Sequence, residues 1–233
     1  MAALLLLSLA TPAASGGIVQ VNNTRLDIPR SARSVAITVS NPSDEQVVVQ
    51  MNVVTWTQSS GKDVYVDSED FVVAPPIATI AAGGEQIVRL VARRRADPAI
   101  ERAYRLYISE VPPPPKPGFR GLQVALRIGV PVFVAPASGK AAPKITWRAE
   151  RHADRIRIGA RNDGNGHVKF SALEVRANDG QPVVISPTEP TYILPGAAFG
   201  WEVSVEHGPL PPRIHIKTST DAGEITTDLA VER

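Results

Sequence analysis

The chain predicts an all-β protein built as two sandwich domains, and three observations carry that expectation. Apolar and polar residues alternate with a period of two in one short run after another, while the 3.6-residue period of an amphipathic helix is almost absent. Clusters of Pro, Gly, Asn, Asp and Ser bound these runs at close intervals, as in antiparallel sheets joined by tight turns. The segment APASGKAAP, Ala135 to Pro143, is poor in large apolar side chains and divides the runs into two sets, as an interdomain linker does.

In the first set, Ile18 to Ile28 predicts one strand and Ser34 to Asn41 a second, in which Val35, Ile37 and Val39 share a face. Gln46 to Thr57 predicts a third. Turns are expected at Pro29 to Arg33, at Asn41-Pro42-Ser43-Asp44 and at Ser59-Ser60-Gly61-Lys62. Phe71 to Val73, Gln86 to Ala92 and Tyr104 to Glu110 continue the series, and Asp97 to Arg102 is the one plausible helical turn. The longest alternating run follows the proline-rich loop VPPPPKPGFR. In it, Leu122, Val124, Leu126, Ile128, Val130 and Val132 alternate with Gln123, Ala125, Arg127, Gly129, Pro131 and Phe133, predicting an extended strand over Gly121 to Pro136. A strand this long and apolar invites pairing with another chain if it lies at a sheet edge. Beyond the linker, further strands are expected at Lys144 to Arg148, Arg155 to Asn162, Val168 to Ala177, Pro182 to Ile185, Gly200 to Val205, Arg213 to Thr218 and Glu224 to Val231. They predict a smaller second sandwich, with no internal repeat strong enough to show a shared topology.

The length of 233 residues suits two domains of about 100 residues each. A hydrophobic content of 43% supplies real cores. The net charge is +2 and the basic residues are scattered, so the concentrated basic stripe of a nucleic-acid-binding protein is missing. The opening MAALLLLSLATPAASGG reads as a secretory signal peptide over residues 1–16, with cleavage between Ala13 and Gly17. Its apolar run is shorter than the roughly 20 residues a spanning helix needs. No Lys or Arg precedes that run, so either the true start lies upstream or the signal is atypical; the competing reading is a buried N-terminal strand. No later segment is long and apolar enough to span a membrane. Export points to the periplasm or the exterior, and without a single cysteine the fold there must rest on core packing alone.

Catalytic chemistry has no footprint in the sequence. His152, His167, His207 and His215 lack metal-ligand spacing and read as scattered surface or strand histidines. No G-x-S-x-G, G-x-G-x-x-G or Walker-type loop occurs. No catalytic residue, metal site or cofactor is expected. Arg93-Arg94-Arg95 reads as a solvated loop more readily than as a phosphate site, and the sequon Asn22-Asn23-Thr24 carries no weight. Arg25, inside the first expected strand, is either an exposed strand arginine or an anchor for an anion; spacing alone does not choose.

Four segments, in order and spacing, resemble the periplasmic chaperones of the chaperone-usher pathway, which assemble pili and other surface fibres. These are TRLDIPRSARSVAITVSN (Thr24 to Asn41), APPIATIAAGGEQIVRL (Ala74 to Leu90), YRLYISEVPP (Tyr104 to Pro113) and LQVALRIGVPVFVAP (Leu122 to Pro136). The form RIGVPVFV and the lack of cysteines are similar to the branch serving archaic or spore-coat-like fibres. The resemblance implies two immunoglobulin-like domains in an L shape: 17–136 with a donor strand, a linker at 137–143, and a smaller domain at 144–233. It implies no enzyme, but an ATP-independent chaperone that caps pilus subunits by donor-strand complementation and delivers them to an outer-membrane usher. Leu122, Val124, Leu126 and Ile128 would fill the subunit's groove, and the free protein would hide them by self-association. The family's Arg and Lys anchor for the subunit's C-terminal carboxylate maps to Arg25 and to Pro131, a departure for which Arg127 stands in, although it lies about 13 Å along the strand. Glu101 matches the acidic member of the family's interdomain salt bridge, while its basic partner is replaced by Ala135. The competing reading is an exported adhesin or carbohydrate-binding module, which the unclustered Trp56, Trp147 and Trp201 support poorly.

Overall fold

Ten strands form the first half of the protein: β1 (Gln20–Val21), β2 (Leu26–Ile28), β3 (Ser34–Ser40), β4 (Val47–Ser59), β5 (Lys62–Asp67), β6 (Phe71–Ala74), β7 (Ile77–Ile80), β8 (Glu85–Ala92), β9 (Arg102–Glu110) and β10 (Arg127–Val134). Eight form the second: β11 (Ile145–His152), β12 (Arg155–Asn162), β13 (Val168–Ala177), β14 (Pro182–Val183), β15 (Thr191–Ile193), β16 (Ala198–Ser204), β17 (Arg213–Thr220) and β18 (Gly223–Ala230). The structure, a computed structural model, describes residues 19–93, 99–115, 117–118, 120–177, 182–183, 191–204 and 210–232. The expected signal peptide, Arg94, Arg95 and the start of the expected helical turn lie outside them.

Each half is a sandwich of two sheets. In the first, β1-β3-β8-β6 covers β2-β10-β9-β4-β5, with β7 joined to β4. Val, Ile, Leu and Met from both inner faces, among them Ile37, Val39, Met51, Leu90, Leu106 and Val132, form its core. In the second, β11-β12-β16 faces β14-β13-β17-β18, with β15 joined to β13 and Ile156, Ile158, Val175, Ile214 and Ile216 buried between. Among the described residues every pairing between these strands is antiparallel except β2 with β10, and one isolated bridge, Glu150 with Glu232, is also parallel.

The two sandwiches share a device that the sequence hides. Asn41, fully buried just after β3, donates its amide to the carbonyls of Glu45, Ile80 and Ala81, and its Oδ1 accepts the Ser43 N–H. Asn162, fully buried at the end of β12, donates to Gly166 and Ile193, and its Oδ1 accepts the N–H groups of Lys144 and Gly164. A buried amide that meets several backbone groups at once fixes a strand end where no ladder reaches it.

Several sequence expectations need correction. The first expected strand is two strands in different sheets, because the chain crosses between layers at Asn22 to Arg25, where Asn22 Oδ1 accepts the Thr38 N–H. The described part of the expected helical turn is not helical, and Arg102 already belongs to β9. Lys62 leaves the expected turn to open β5, since Ser60 (φ 51°) and Gly61 (φ 72°) alone make the hairpin that pairs Ser59 with Lys62. The longest run is not one strand: Gly121 to Leu126 pair with no strand, and β10 starts at Arg127. Its partner β9 ends at Glu110, and the prolines that follow carry no N–H with which to extend the ladder.

Candidate functional site: an exposed arm beside an interdomain cleft

Ahead of β10 stands an arm whose apolar side chains meet water. Leu122 is 86% exposed, Val124 72% and Leu126 39%, and the three lie at every second position. Leu126 ties the root of the arm to β9: its N–H donates to Glu110 Oε2 at 3.1 Å, and its carbonyl accepts the Glu110 N–H at 2.9 Å; farther out, Gln123 Nε2 donates to the Pro113 carbonyl at 3.0 Å. Ile128 lies inside β10 opposite Ile108 and packs half-buried on the first core. The arm therefore runs on from the sheet, and its exposed apolar residues keep the alternate spacing of Ile128, Val130 and Val132 in β10.

The opposite face of β9 and β10 looks into a cleft between the sandwiches. On this face cations and aromatic rings alternate. The Arg127 guanidinium lies 3.7 Å from the Tyr107 ring centre, and the Tyr107 and Tyr65 rings meet edge-on at 6.1 Å. Arg105 follows, 5.3 Å from the Tyr65 ring and 4.5 Å from that of Trp56. Gly129 makes this possible, because a Cβ there would sit 3.1 Å from both Arg105 Cδ and Tyr107 Cε1. Pro131, where the resemblance leads one to expect a lysine, is directly opposite Arg105. The cleft has a volume of about 660 Å³, and Trp56, Lys62, Arg105, Pro131, Lys169 and Tyr192 contribute to its lining. Burial raises the Tyr65 and Tyr192 hydroxyls above the ordinary tyrosine range; a hydrogen bond to Asp63 adds to the rise at Tyr65, and the Arg25 charge opposes it at Tyr192.

Arg25 stands at the edge of the cleft, just before β2 rather than within a strand. Its Nε donates to Asp27 Oδ2 at 3.0 Å, and its Nη1 reaches across to Asp221 Oδ2 of the second sandwich at 2.8 Å. Burial pulls this guanidinium's pKa down, but the charges of Asp27 and Asp221 outweigh that and the net shift is upward. Arg25 and Arg127 are thus on the cleft side of the sheet but are not brought together: one is tied to two carboxylates, the other lies on Tyr107.

The junction itself rests on His167, which the sequence presented as a scattered histidine. Its side chain is 9% exposed; its ring stacks on Phe133 at 3.5 Å and 7°, and Nδ1 meets Glu101 Oε1 at 2.5 Å. The same carboxylate oxygen accepts the His167 N–H at 2.9 Å, and the Glu101 N–H donates to the Asn165 carbonyl. His167 Nε2 is 3.4 Å from Asp221 Oδ2 without the alignment of a hydrogen bond. The partner that Ala135 cannot offer Glu101 therefore comes from the second domain. Gln58 adds two more links, donating to the Tyr192 carbonyl and accepting from the Leu194 N–H, each at 2.9 Å. Arg105 had one visible signal in the sequence, a cation interrupting the apolar run Ala103 to Ile108; Asp221 and His167 had none, because their partners are far away in the chain. Among the described residues no cluster of His, Asp and Glu could hold a metal ion, and no helix is long and apolar enough to cross a membrane.

Residues 18–140 match the family of pili and flagellar-assembly chaperones, over its PapD N-terminal domain. The chain belongs to that family. It is similar in fold to the CsuC–CsuE chaperone–tip adhesion subunit pre-assembly complex from the archaic chaperone-usher Csu pili of Acinetobacter baumannii. That match has 17% identity and a TM-score of 0.70, and covers 93% of this chain and 100% of the other. It is also similar to the YadV chaperone, with 20% identity and a TM-score of 0.65 over 91% of this chain and 99% of that one. A third match is the Salmonella enterica SafA pilin–SafB chaperone complex, with 20% identity and a TM-score of 0.64 over 94% and 99% of the two chains. No curated protein sequence matches the chain. The protein is accordingly an all-β assembly chaperone of the pilus type, with two immunoglobulin-like domains.

Proposed function

We propose that this protein is a periplasmic, ATP-independent chaperone that captures fibre subunits by lending them the arm before β10, and passes them to an outer-membrane usher. The observation that carries this reading is the arm itself, with Leu122, Val124 and Leu126 exposed at alternate positions and continuous with a sheet. A subunit groove lacking a strand gains main-chain hydrogen bonds from such an arm and pockets for its side chains, each worth roughly 1.5 to 3 kcal/mol when fully buried. Ile128 acts as the fourth member of the set, at the root of the arm. Arg25 holds the subunit's terminal carboxylate, which competes with Asp221 for the guanidinium, and Arg127 adds positive charge farther along the same face. The free protein shields the arm by self-association.

The test is co-expression of the tagged protein with candidate fibre subunits. Wild type retains a stoichiometric subunit, and Leu126→Asp loses it while keeping its thermal unfolding midpoint. Subunit held by Leu126→Asp at the wild-type level sinks the strand-lending reading. Arg25→Ala, run in parallel, loses the subunit if Arg25 is an anchor and retains it if the carboxylate is held elsewhere.

A further inference from the structure

We propose that His167 is a proton-operated latch between the two sandwiches. Neutral, it joins them by a hydrogen bond alone; protonated, it supplies the cation that ties Glu101 of the first sandwich to the second. Glu101 is buried, and among the described residues the one basic side chain within ion-pair reach of it is His167. A buried carboxylate without a counter-charge is costly, and an imidazolium beside it removes that cost.

The ring is oriented for a second proton. Nδ1, 2.5 Å from Glu101 Oε1, donates to that carboxylate, which in the neutral ring leaves Nε2 as a bare lone pair. That nitrogen is buried, makes no hydrogen bond and faces Asp221 Oδ2 at 3.4 Å, acceptor against acceptor. A proton on Nε2 turns this opposition into attraction. Asp221 is held in place for it: its Oδ1 accepts the Lys169 N–H at 2.8 Å, and its Oδ2 accepts from Arg25 of the first sandwich at 2.8 Å. Protonation therefore joins two separate interdomain links, Glu101 with His167 and Asp221 with Arg25, into one row of alternating charge. Phe133 stacks on the ring without charge. The other titratable or charged groups around it are Tyr192, with its ring centre 5.8 Å away; Lys169, whose ammonium lies over Tyr192 at 5.5 Å; and Arg25, shared between Asp27 and Asp221. Ordinary carboxylates, tyrosines, lysines and arginines keep their charge between about pH 5.5 and 8, the interval in which a histidine changes its own. His215 pairs with Asp228 inside the second sandwich and links nothing across the junction.

The test uses the full chain. Because it has no cysteine, Ala36→Cys and Thr226→Cys place one spin label on an exposed position of each sandwich. Double electron–electron resonance reads the spread of interdomain distances from about pH 8 to about pH 5.5, while 15N spectra of the histidine rings report the proton on Nε2. The spread narrows as pH falls, in step with the His167 ring signal. His167→Gln keeps a donor for Glu101 but cannot take up a charge. Glu101→Gln keeps an acceptor for the ring but removes the charge across the junction, leaving the protonated ring to meet only Asp221 of its own sandwich. Each variant holds one spread at every pH. A wild-type spread that ignores pH or widens towards acid overturns the latch, and so does the wild-type response in either variant; if one variant does not fold, the other decides.

Discussion

At the residue scale, two leucines of this chain show how position decides energetics. Leu106 is completely buried in the first core and Leu122 is 86% exposed. Leu106→Ala is expected to cost about 2 to 5 kcal/mol in urea unfolding, whereas Leu122→Ala should stay within about 0.5 kcal/mol and show its effect only in subunit capture. Tyr104 makes a second prediction. Burial, with the hydrogen bond to Asp70 at 2.8 Å, pushes its hydroxyl up to about 12. In the unfolded chain a tyrosine titrates near 10. The folded state therefore favours the protonated phenol, and this contribution is complete below about pH 10 and lost as pH rises through about 12. Tyr104→Phe should be less stable than wild type by about 1 kcal/mol at pH 8, and the gap should close in melting curves taken towards pH 12. A gap that stays constant would mean that the Asp70 contact does not respond to ionisation.

At the element scale, the period-two alternation made most strands legible, including β3, β8, β9, β12 and β17. It failed where strands were short or polar. β7 is four residues long, and β5, KDVYVD, sits at a sheet edge with Val64 and Val66 in water, so neither carries the signature of a buried face. It also overran at the arm, since Leu122 to Leu126 have the right pattern but no neighbour to pair with. Periodicity reports which face is apolar, not whether a ladder exists. The buried asparagines escaped notice because their worth depends on carbonyls remote in sequence. Asn41→Ala should strip three carbonyls of their donor and destabilise the first sandwich by about 2 kcal/mol or more, and Asn162→Ala should do the same to the second. Hydrogen exchange, read separately on β3 and β12, would show each loss confined to its own sandwich. Gly129→Val is expected to push aside Arg105 and Tyr107 without unravelling β10, changing the near-UV circular dichroism of the Trp56 and Tyr65 rings while the far-UV spectrum is unchanged.

At the scale of the whole molecule, the relation between the two sandwiches was the least legible property. Glu101 could be singled out from the resemblance, but its partner could not, because 66 residues and a second domain separate it from His167. The cleft residues likewise come from both halves and meet only after folding. His167→Ala removes the stack on Phe133 and leaves a mostly buried Glu101 carboxylate without its ring partner. The expected cost is about 3 kcal/mol, with a wider spread of interdomain distances in small-angle scattering. Scattering identical to that of wild type would show that Gln58 and the Arg25–Asp221 pair fix the geometry unaided. Because Asp221 contacts both Arg25 and Lys169, displacement of Asp221 by an incoming anion would be felt in both domains.

The double hydrogen bond between Leu126 and Glu110 has one more implication. It sets the phase of the arm, since whatever strand adds to Leu122 through Leu126 inherits the pleat of β9 and β10 across that clasp. A guest strand sliding by one residue would turn every one of its apolar side chains to the wrong side. In the proposed capture the clasp would work as a reading frame, letting a solvent-facing segment dictate the alignment of its guest.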